Sequence, residues 1–306
     1  MIKNIPRAQD FREVGFQLLH NATDTILDLQ LEWYRHLEEG LADDEIEADY
    51  WQAASRRIST ALTVVQQATD FLMKGRIAAV SPFLLIAGDP QNWPCGSKAK
   101  NFEVDFAAFR TIDSRDLTRV HDTCVPQRLS DEFRTIHESM RKRRNSLMHT
   151  VDPGIRVEAK EVLLGILEVF KEFEGAASWL SSRRSYLPGR PEMVPYGGDL
   201  TLSELVIEFE ILVSLLSPSE AIRLLGFPKR RRRYICPTCR ASMSDYDPDF
   251  VPQTALLDPN TPSSTHVYCV VCDCKELVER KSCPEPQCKG NVISVEESCC
   301  LTCGCA

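Results

Sequence analysis

Apolar residues recur at intervals of three, four and seven from about Ala8 to Glu39, at Phe11, Val14, Leu18, Ile26, Leu29, Trp33 and Leu37, which predicts one amphipathic helix. Ile58, Ala61, Leu62, Val65, Ala68, Leu72 and Ile77 repeat the pattern between Tyr50 and Ala79 and predict a second. "SPFLLIAGDPQNWPCGSK" then breaks the period with Pro and Gly, so a long loop follows. Helical spacing resumes after Asp116 in "LTRVHDTCVPQRLSDEF" and stops before Pro126, because a residue preceding proline avoids helical dihedrals. Ser130 suits the N-cap of the next helix, which runs into "RKRRNSLMHT" (141–150) and ends at "DPG" (152–154). A further helix is expected over Val157 to Leu180, then a linker or ordered surface loop in "PGRPEMVPYGGD". Thr201 with Glu204, and Ser217 with Glu220, have capping-box spacing ahead of two last apolar runs. Strand signals are nearly absent before residue 227. Residues 50–226 therefore read as an all-α helical bundle, with 1–49 as an N-terminal helix packing on it.

On a wheel of about 100° per residue, Phe133, Ile136, Met140 and Leu147 share one direction and form the core stripe of the helix entering 141–150. Arg144 lies about 40° from Met140, inside that stripe, and Asn145 on the far side. A guanidinium in an apolar seam needs a partner or an interface, since burying it alone is costly. The plain alternative is a solvated helix end, where cations suit the dipole.

The tail is chemically distinct. Of 13 cysteines, 11 follow residue 235. Two Cys spaced by two residues place both sulfurs on one tight turn, and a second turn completes a tetrahedral metal site. The candidate ligand sets are Cys236, Cys239, Cys269, Cys272 and Cys283, Cys288, Cys300, Cys303, with Cys274, Cys299 and Cys305 left over as possible replacements. The second halves, "CVVCDC" and "CCLTCGC", contain an internal repeat, C-x-x-C-[DG]-C. Residues 227–282 and 283–306 read as two small β domains resembling zinc ribbons, the first with a strand hairpin tipped by "DPNTPSST". They imply about two structural Zn2+ per chain. A disulfide scaffold and iron–sulfur ligation are the rivals; the charged start argues against a secreted chain and for a cytoplasmic one. Cys95 and Cys124 read as ordinary buried thiols.

"RNSLMH" (144–149) resembles the R-x(4–6)-H signature of the HEPN superfamily, including an Asn directly after the Arg. The resemblance covers residues 50–185: a long helix ending in the motif, a helix after it, and an earlier helix pair joined by a long loop. It implies a bundle that commonly dimerises and a metal-independent ribonuclease, with Arg144, Asn145 and His149 at the matching catalytic positions. The chemistry is consistent with that: cleavage by the RNA's own 2′-hydroxyl needs a base, an acid and positive charge on the phosphate, which histidine and arginine supply. On an ideal helix Arg144 and His149 point about 140° apart, so a helix end near Met148 or a two-fold pairing of chains is needed to converge them. Arg141 and Arg143 read as exposed positioning cations. Some members carry a modifiable Tyr two residues after the histidine; here Val151 stands there, so that regulation has no acceptor.

Charge changes the picture only locally. Residues 227–306 hold ten cations and ten anions, so the whole net charge of −8 falls on residues 1–226, and nucleic-acid binding must be local. "KRRRR", Lys229, Arg230, Arg231, Arg232 and Arg233, is the candidate nucleic-acid-binding strip, or else a solvated linker. The longest apolar run, "IAAVSPFLLIAG", falls well short of the roughly 20 residues of a membrane span. The combined expectation is a cytoplasmic homodimeric endoribonuclease acting on RNA, targeted by zinc ribbons, with a role in defence or stress as a toxin-like enzyme and a candidate regulatory protein partner. The competing expectation is a non-catalytic dimer scaffold whose ribbons recruit protein or nucleic acid. The defence role rests on family analogy alone.

Overall fold

Asp43 accepts hydrogen bonds from the Glu45 and Ile46 N–H groups and so starts α2 (Asp44–Val80) well ahead of the expected Tyr50. The first turns are too polar to carry an apolar stripe, but their acidic residues suit a helix N-terminus. The preceding helix, α1 (Ala8–Glu38), matches its expected span. In the computed structural model, residues 1–41, 43–94, 103–149, 157–197, 200–244 and 246–305 are described, with the backbone alone for Asn92 and 147–149. The expected helix stop at 152–154 and the thiol Cys95 lie outside the described residues. Two units form, Met1–Glu174 and Gly175–Ala306.

In the first unit α1 packs along α2, burying Leu19, Ile26, Leu29 and Trp33 against Ile58, Leu62, Val65 and Leu72. Val14 and Leu37, which the periodicity placed in the stripe, are exposed at 43% and 47%. The expected long loop carries a short 3-10 turn, Pro82–Leu85, and buries Leu85, Phe106 and Phe109. It also supplies β2 (Val104–Asp105), which pairs in parallel with β1 (Ile2–Lys3), a strand pair too short for periodicity to signal.

Three further helices complete this unit: α3 (Ser114–Cys124), α4 (Asp131–His149) and α5 (Ala159–Glu174). Ser130 caps α4 as expected, accepting from the Phe133 N–H at 3.2 Å while donating to Glu172 Oε2 at 2.7 Å. Gly165 lets α4 approach α5, because a Cβ there would collide with the Met140 sulfur. Arg143 Nη1 reaches Glu161 Oε2 at 2.6 Å, tying the far end of α4 to the start of α5. The placement of α4 matters because its last turns carry the Arg144 motif.

The helix expected over Val157 to Leu180 is broken. Gly175 (φ 101°) and Ala177 (φ 63°) turn left-handed, so α5 stops at Glu174 and α6 (Ser178–Tyr186) opens the second unit. The sequence set a boundary at 226, whereas residues 175–226 group with the cysteine-rich tail. Side chains explain why. The fully buried Arg183 of α6 donates from Nε to Glu208 Oε2 of α7 (Thr201–Leu215) at 2.7 Å, and the next residue, Arg184, donates from Nε to the Val271 carbonyl of the tail at 3.1 Å. Lys229 Nζ covers the α7 carbonyls of Val213 and Leu216, and Ser203 donates to the Ser242 carbonyl at 2.9 Å, in α9 (Pro237–Ser244). Ser217 and Glu220 form the expected capping box at α8 (Pro218–Leu225). Thr201 does not cap α7; Leu200 holds that position, and Glu204 instead accepts from Arg190.

One antiparallel sheet of order β3-β4-β5-β6 follows: β3 (Ala255–Leu257), β4 (His266–Cys269), β5 (Lys275–Glu279) and β6 (Ile293–Ser294). The hairpin tipped by 258–265 forms as expected. The two expected ribbons are not independent sheets, because β5 pairs with β4 on one side and β6 on the other.

Two buried histidines of the first unit generate a pH prediction. His121 is wholly buried, its Nδ1 3.0 Å from Asp122 Oδ1 and its Nε2 without a hydrogen-bond partner. His137 stacks on Phe133 with its Nε2 likewise buried. Burial lowers both pKa values below the ordinary histidine range. The unfolded chain therefore takes up protons at these sites first as pH falls, so their contribution to stability is flat above about pH 6.5 and declines below it. Thermal melts between pH ~7.5 and ~5.5 should show that decline, and His137→Leu should shallow it; equal slopes would mean that His137 is not held neutral.

Candidate metal centres and a candidate phosphate cleft

The repeat C-x-x-C-[DG]-C is a backbone device. Asp273 and Gly304 occupy its variable position, and both are left-handed, at φ 63° and 79°. The Asp273 N–H donates to the Cys269 carbonyl at 2.9 Å and that of Gly304 to Cys300 at 2.7 Å. The Cys269 and Cys300 N–H groups in turn donate to the Cys274 and Cys305 carbonyls, at 2.9 and 2.8 Å. Cys274 and Cys305 thus close the turn with their backbone and leave their thiols exposed. They replace no neighbour in the ligand sets.

Each turn presents two sulfurs to a second pair. The ligand atoms of Cys236, Cys239, Cys269 and Cys272 all lie within 4.8 Å of one another, as do those of Cys283, Cys288, Cys300 and Cys303. Cys236–Cys272 and Cys239–Cys269 separations are 3.5 and 3.6 Å; Cys283–Cys303 and Cys288–Cys300 are 3.7 and 3.9 Å. Sulfurs around a tetrahedral zinc at about 2.3 Å stand about 3.8 Å apart, whereas a disulfide needs about 2 Å. Both tetrads are therefore suited to a four-coordinate metal such as zinc and not to disulfides.

The surroundings divide the ligand thiols: Cys269 and Cys303 are pushed down, whereas Cys239, Cys272, Cys283 and Cys288 are pushed up. Hydrogen bonds from Cys236, Cys239 and Cys272, and then the Thr254 hydroxyl 3.1 Å away, push the Cys269 thiol down. The Cys305 backbone N–H lowers Cys303 to about 7. Glu285 and Gly290 N–H groups donate to Cys283 and Cys288 sulfurs at 3.4 and 3.2 Å. Gly290 also makes room, since a Cβ there would lie 2.6 Å from Cys300 Sγ. Nothing in its own spacing singled it out.

In the helical unit, the Arg144 motif opens onto a cleft of about 310 Å³ between the last turns of α4 and the first turn of α3, lined by Ser114, Arg115, Asp116, Arg141, Arg144 and Asn145. Asn145, expected on the far side of α4, lies in the same cleft as Arg144 and accepts from its Nη1 at 3.2 Å. Arg144 is half-buried, and its Nε is buried without a hydrogen-bond partner. Behind it stands Asp70 of α2, accepting from the Ser114 hydroxyl at 3.0 Å; burial pushes the Asp70 carboxyl up, against Ser114, Lys74 and Arg144, which pull it down. Asp70 and Ser114 belong to other helices, so the motif gave no sign of them. Arg141 and Arg143 are not free positioning cations: Arg141 pairs with Glu138 at 2.9 Å and Arg143 with Glu161. The last described residue of α4 is His149, one position beyond the expected end near Met148; the His149 side chain lies outside the described residues.

The strip 229–233 is partly structural. Lys229 is spent on α7, and Arg233 pairs with Glu210 and the Gln253 carbonyl. Arg232 donates to Thr302 Oγ1 at 3.1 Å and lies over Tyr234, leaving Arg230 and Arg231 as exposed cations. Cys124 is half-buried, not a core thiol. Among the described residues no helix is long and apolar enough to cross a membrane.

Fold and sites together define a helical protein whose second unit ends in a small sheet flanked by two four-cysteine centres. No family model, no curated protein and no solved structure matches the chain.

The tetrads make distinct demands on different cysteines. Cobalt(II), coloured in tetrahedral thiolate sites, should fill two sites per chain, one in Cys272→Ser or Gly290→Ala, and two in Cys274→Ser. Loss of a site in Cys274→Ser would overturn the ligand assignment.

Proposed function

We propose that this chain is a metal-independent endoribonuclease whose C-terminal sheet is built around two structural zinc ions. The observation that carries the nuclease reading is Arg144: a half-buried guanidinium whose Nε has no hydrogen-bond partner, opening with Asn145 onto a cleft of phosphate scale. Arg144 binds the non-bridging oxygens of the scissile phosphate and stabilises the charge that develops on them. The RNA 2′-hydroxyl attacks the adjacent phosphorus as a base takes its proton, and an acid protonates the departing 5′-oxygen, leaving a cyclic phosphate and a 5′-hydroxyl. On an ideal helix Arg144 and His149 of one chain point about 140° apart. A homodimer, in which the partner's His149 faces Arg144 across the cleft, supplies both an acid and a base from one histidine per chain.

The cysteine tetrads serve structure in this reading. All four ligand positions at each centre are protein thiols, so no position is open for a substrate or water. Elemental analysis of purified protein should find about two zinc per chain, and prolonged chelation should unfold the sheet. A metal-free tail that keeps its fold would exclude the zinc assignment.

Brief incubation with RNA in EDTA, short enough to spare the tail, tests the nuclease. Wild type should leave cyclic-phosphate ends on RNA and spare DNA of the same sequence, which lacks the attacking hydroxyl. His149→Ala should lose on the order of 10²–10⁴ in rate and Arg144→Ala roughly 10²–10³, with melting curves unchanged. An inert wild type, or variants that cleave like it, would leave a recruiting scaffold in place of an enzyme.

A further inference from the structure

We infer that the solvent face of α3 is a track for the phosphate backbone of single-stranded RNA, leading into the Arg144 cleft; this rests on the nuclease reading and locates its substrate. A second hollow of about 470 Å³ lies along α3, lined by Arg115, Thr118, Arg119, Asp122, Thr123, Arg128 and Arg134. Arg115 lines this hollow and the Arg144 cleft alike, so the two are neighbours on either side of one arginine. Arg115, Arg119 and Arg128 are exposed. Arg115 and Arg119 stand one helical turn apart, about 6 Å along the axis, on the scale of one phosphate-to-phosphate step.

Local charge balance favours an anion. The Asp122 carboxylate is held by Arg134, by His121 and by the Leu129 N–H, and Asp113 is held by Arg110. Asp116 is the remaining acid against Arg115, Arg119 and Arg128. The surface is polar, with threonines between the arginines and no aromatic side chain among the residues lining either hollow. That lining suits a sugar–phosphate backbone rather than stacked bases, so binding is expected to be sequence-tolerant and steeply salt-dependent. It also moves the nucleic-acid contact away from 229–233, where Lys229 and Arg233 are committed within their own unit.

The test uses full-length protein and uniformly 2′-O-methylated RNA, which lacks the attacking hydroxyl and stays intact whether or not the chain is a nuclease. Arg115→Gln/Arg119→Gln/Arg128→Gln should flatten the plot of log affinity against log salt by about two units and weaken binding roughly 100-fold near 0.1 M salt. Arg230→Gln/Arg231→Gln should leave the slope unchanged. Should the triple variant melt early, Arg119→Gln alone is expected to lower the slope by about 0.7. The track is overturned if these variants keep the wild-type slope, if the loss follows Arg230 and Arg231 instead, or if polyglutamate of matched charge displaces the RNA as well as RNA does. A chain that binds through α3 yet cuts no RNA sinks the nuclease alone; one that cuts RNA with an unaltered slope sinks the track alone.

Discussion

Four sulfurs held within 4.8 Å of one another, at two places, are the constraint on which the C-terminal sheet depends. Its strands run from two to five residues, too short for ladder hydrogen bonds alone to secure an independent sheet. The first tetrad joins α9 and its entry to β4 and the turn beyond it, and the second joins the segment after β5 to the turn that bridges back onto β6. Because β5 pairs with both neighbours, the two centres stabilise one sheet. Packed thiols without a metal would leave little reason for so many sulfurs to converge; with one, coordination free energy becomes folding free energy.

Polar groups are buried in both units, and they are treated differently. Arg183 and Glu208 are buried together, the guanidinium meeting both carboxylate oxygens through Nε and Nη2, and they join α6 to α7. Removing one partner of such a pair strands the other charge, at a cost of about 3–5 kcal/mol, so the pair fixes α6 against α7. Arg144 lacks that closure: its Nη1 is held by Asn145, its Nε is left without a protein acceptor, and Asp70 lies behind it as a balancing carboxyl. A cation at a cleft with no carboxylate bound to it is what a phosphate site requires, whereas one locked in a buried ion pair is architecture.

The arginines make the same distinction on the surface. Five consecutive cations at 229–233 look like a binding strip, but three of them, Lys229, Arg232 and Arg233, are taken up by carbonyls, a carboxylate and two rings. Arg115, Arg119, Arg128 and Arg144 are scattered over thirty positions and attract no notice as a run, yet two hollows that share Arg115 gather them on one side of α3. Adjacency in sequence and adjacency in space part company wherever helices bring distant turns together.

What the sequence determined by itself is what local chemistry dictates. Apolar periodicity located α1 and most of α2, side-chain caps placed α4 and α8, and cysteine spacing identified both tetrads, because two sulfurs on one turn are a local fact. Tertiary structure alone decided the rest. Only packing reveals that residues 175–226 side with the tail, since the ties are Arg184 to Val271 and Ser203 to Ser242 across long separations. Only the fold shows that Cys274 and Cys305 serve through their carbonyls, that Gly290 clears space for a sulfur, and that Asp70 and Ser114 stand behind Arg144. A helical wheel assigns directions relative to one axis and contains nothing about which neighbours meet each direction. That is why it placed Arg144 in a seam and Asn145 away from it, while the fold sets both in one cleft with the first turn of α3.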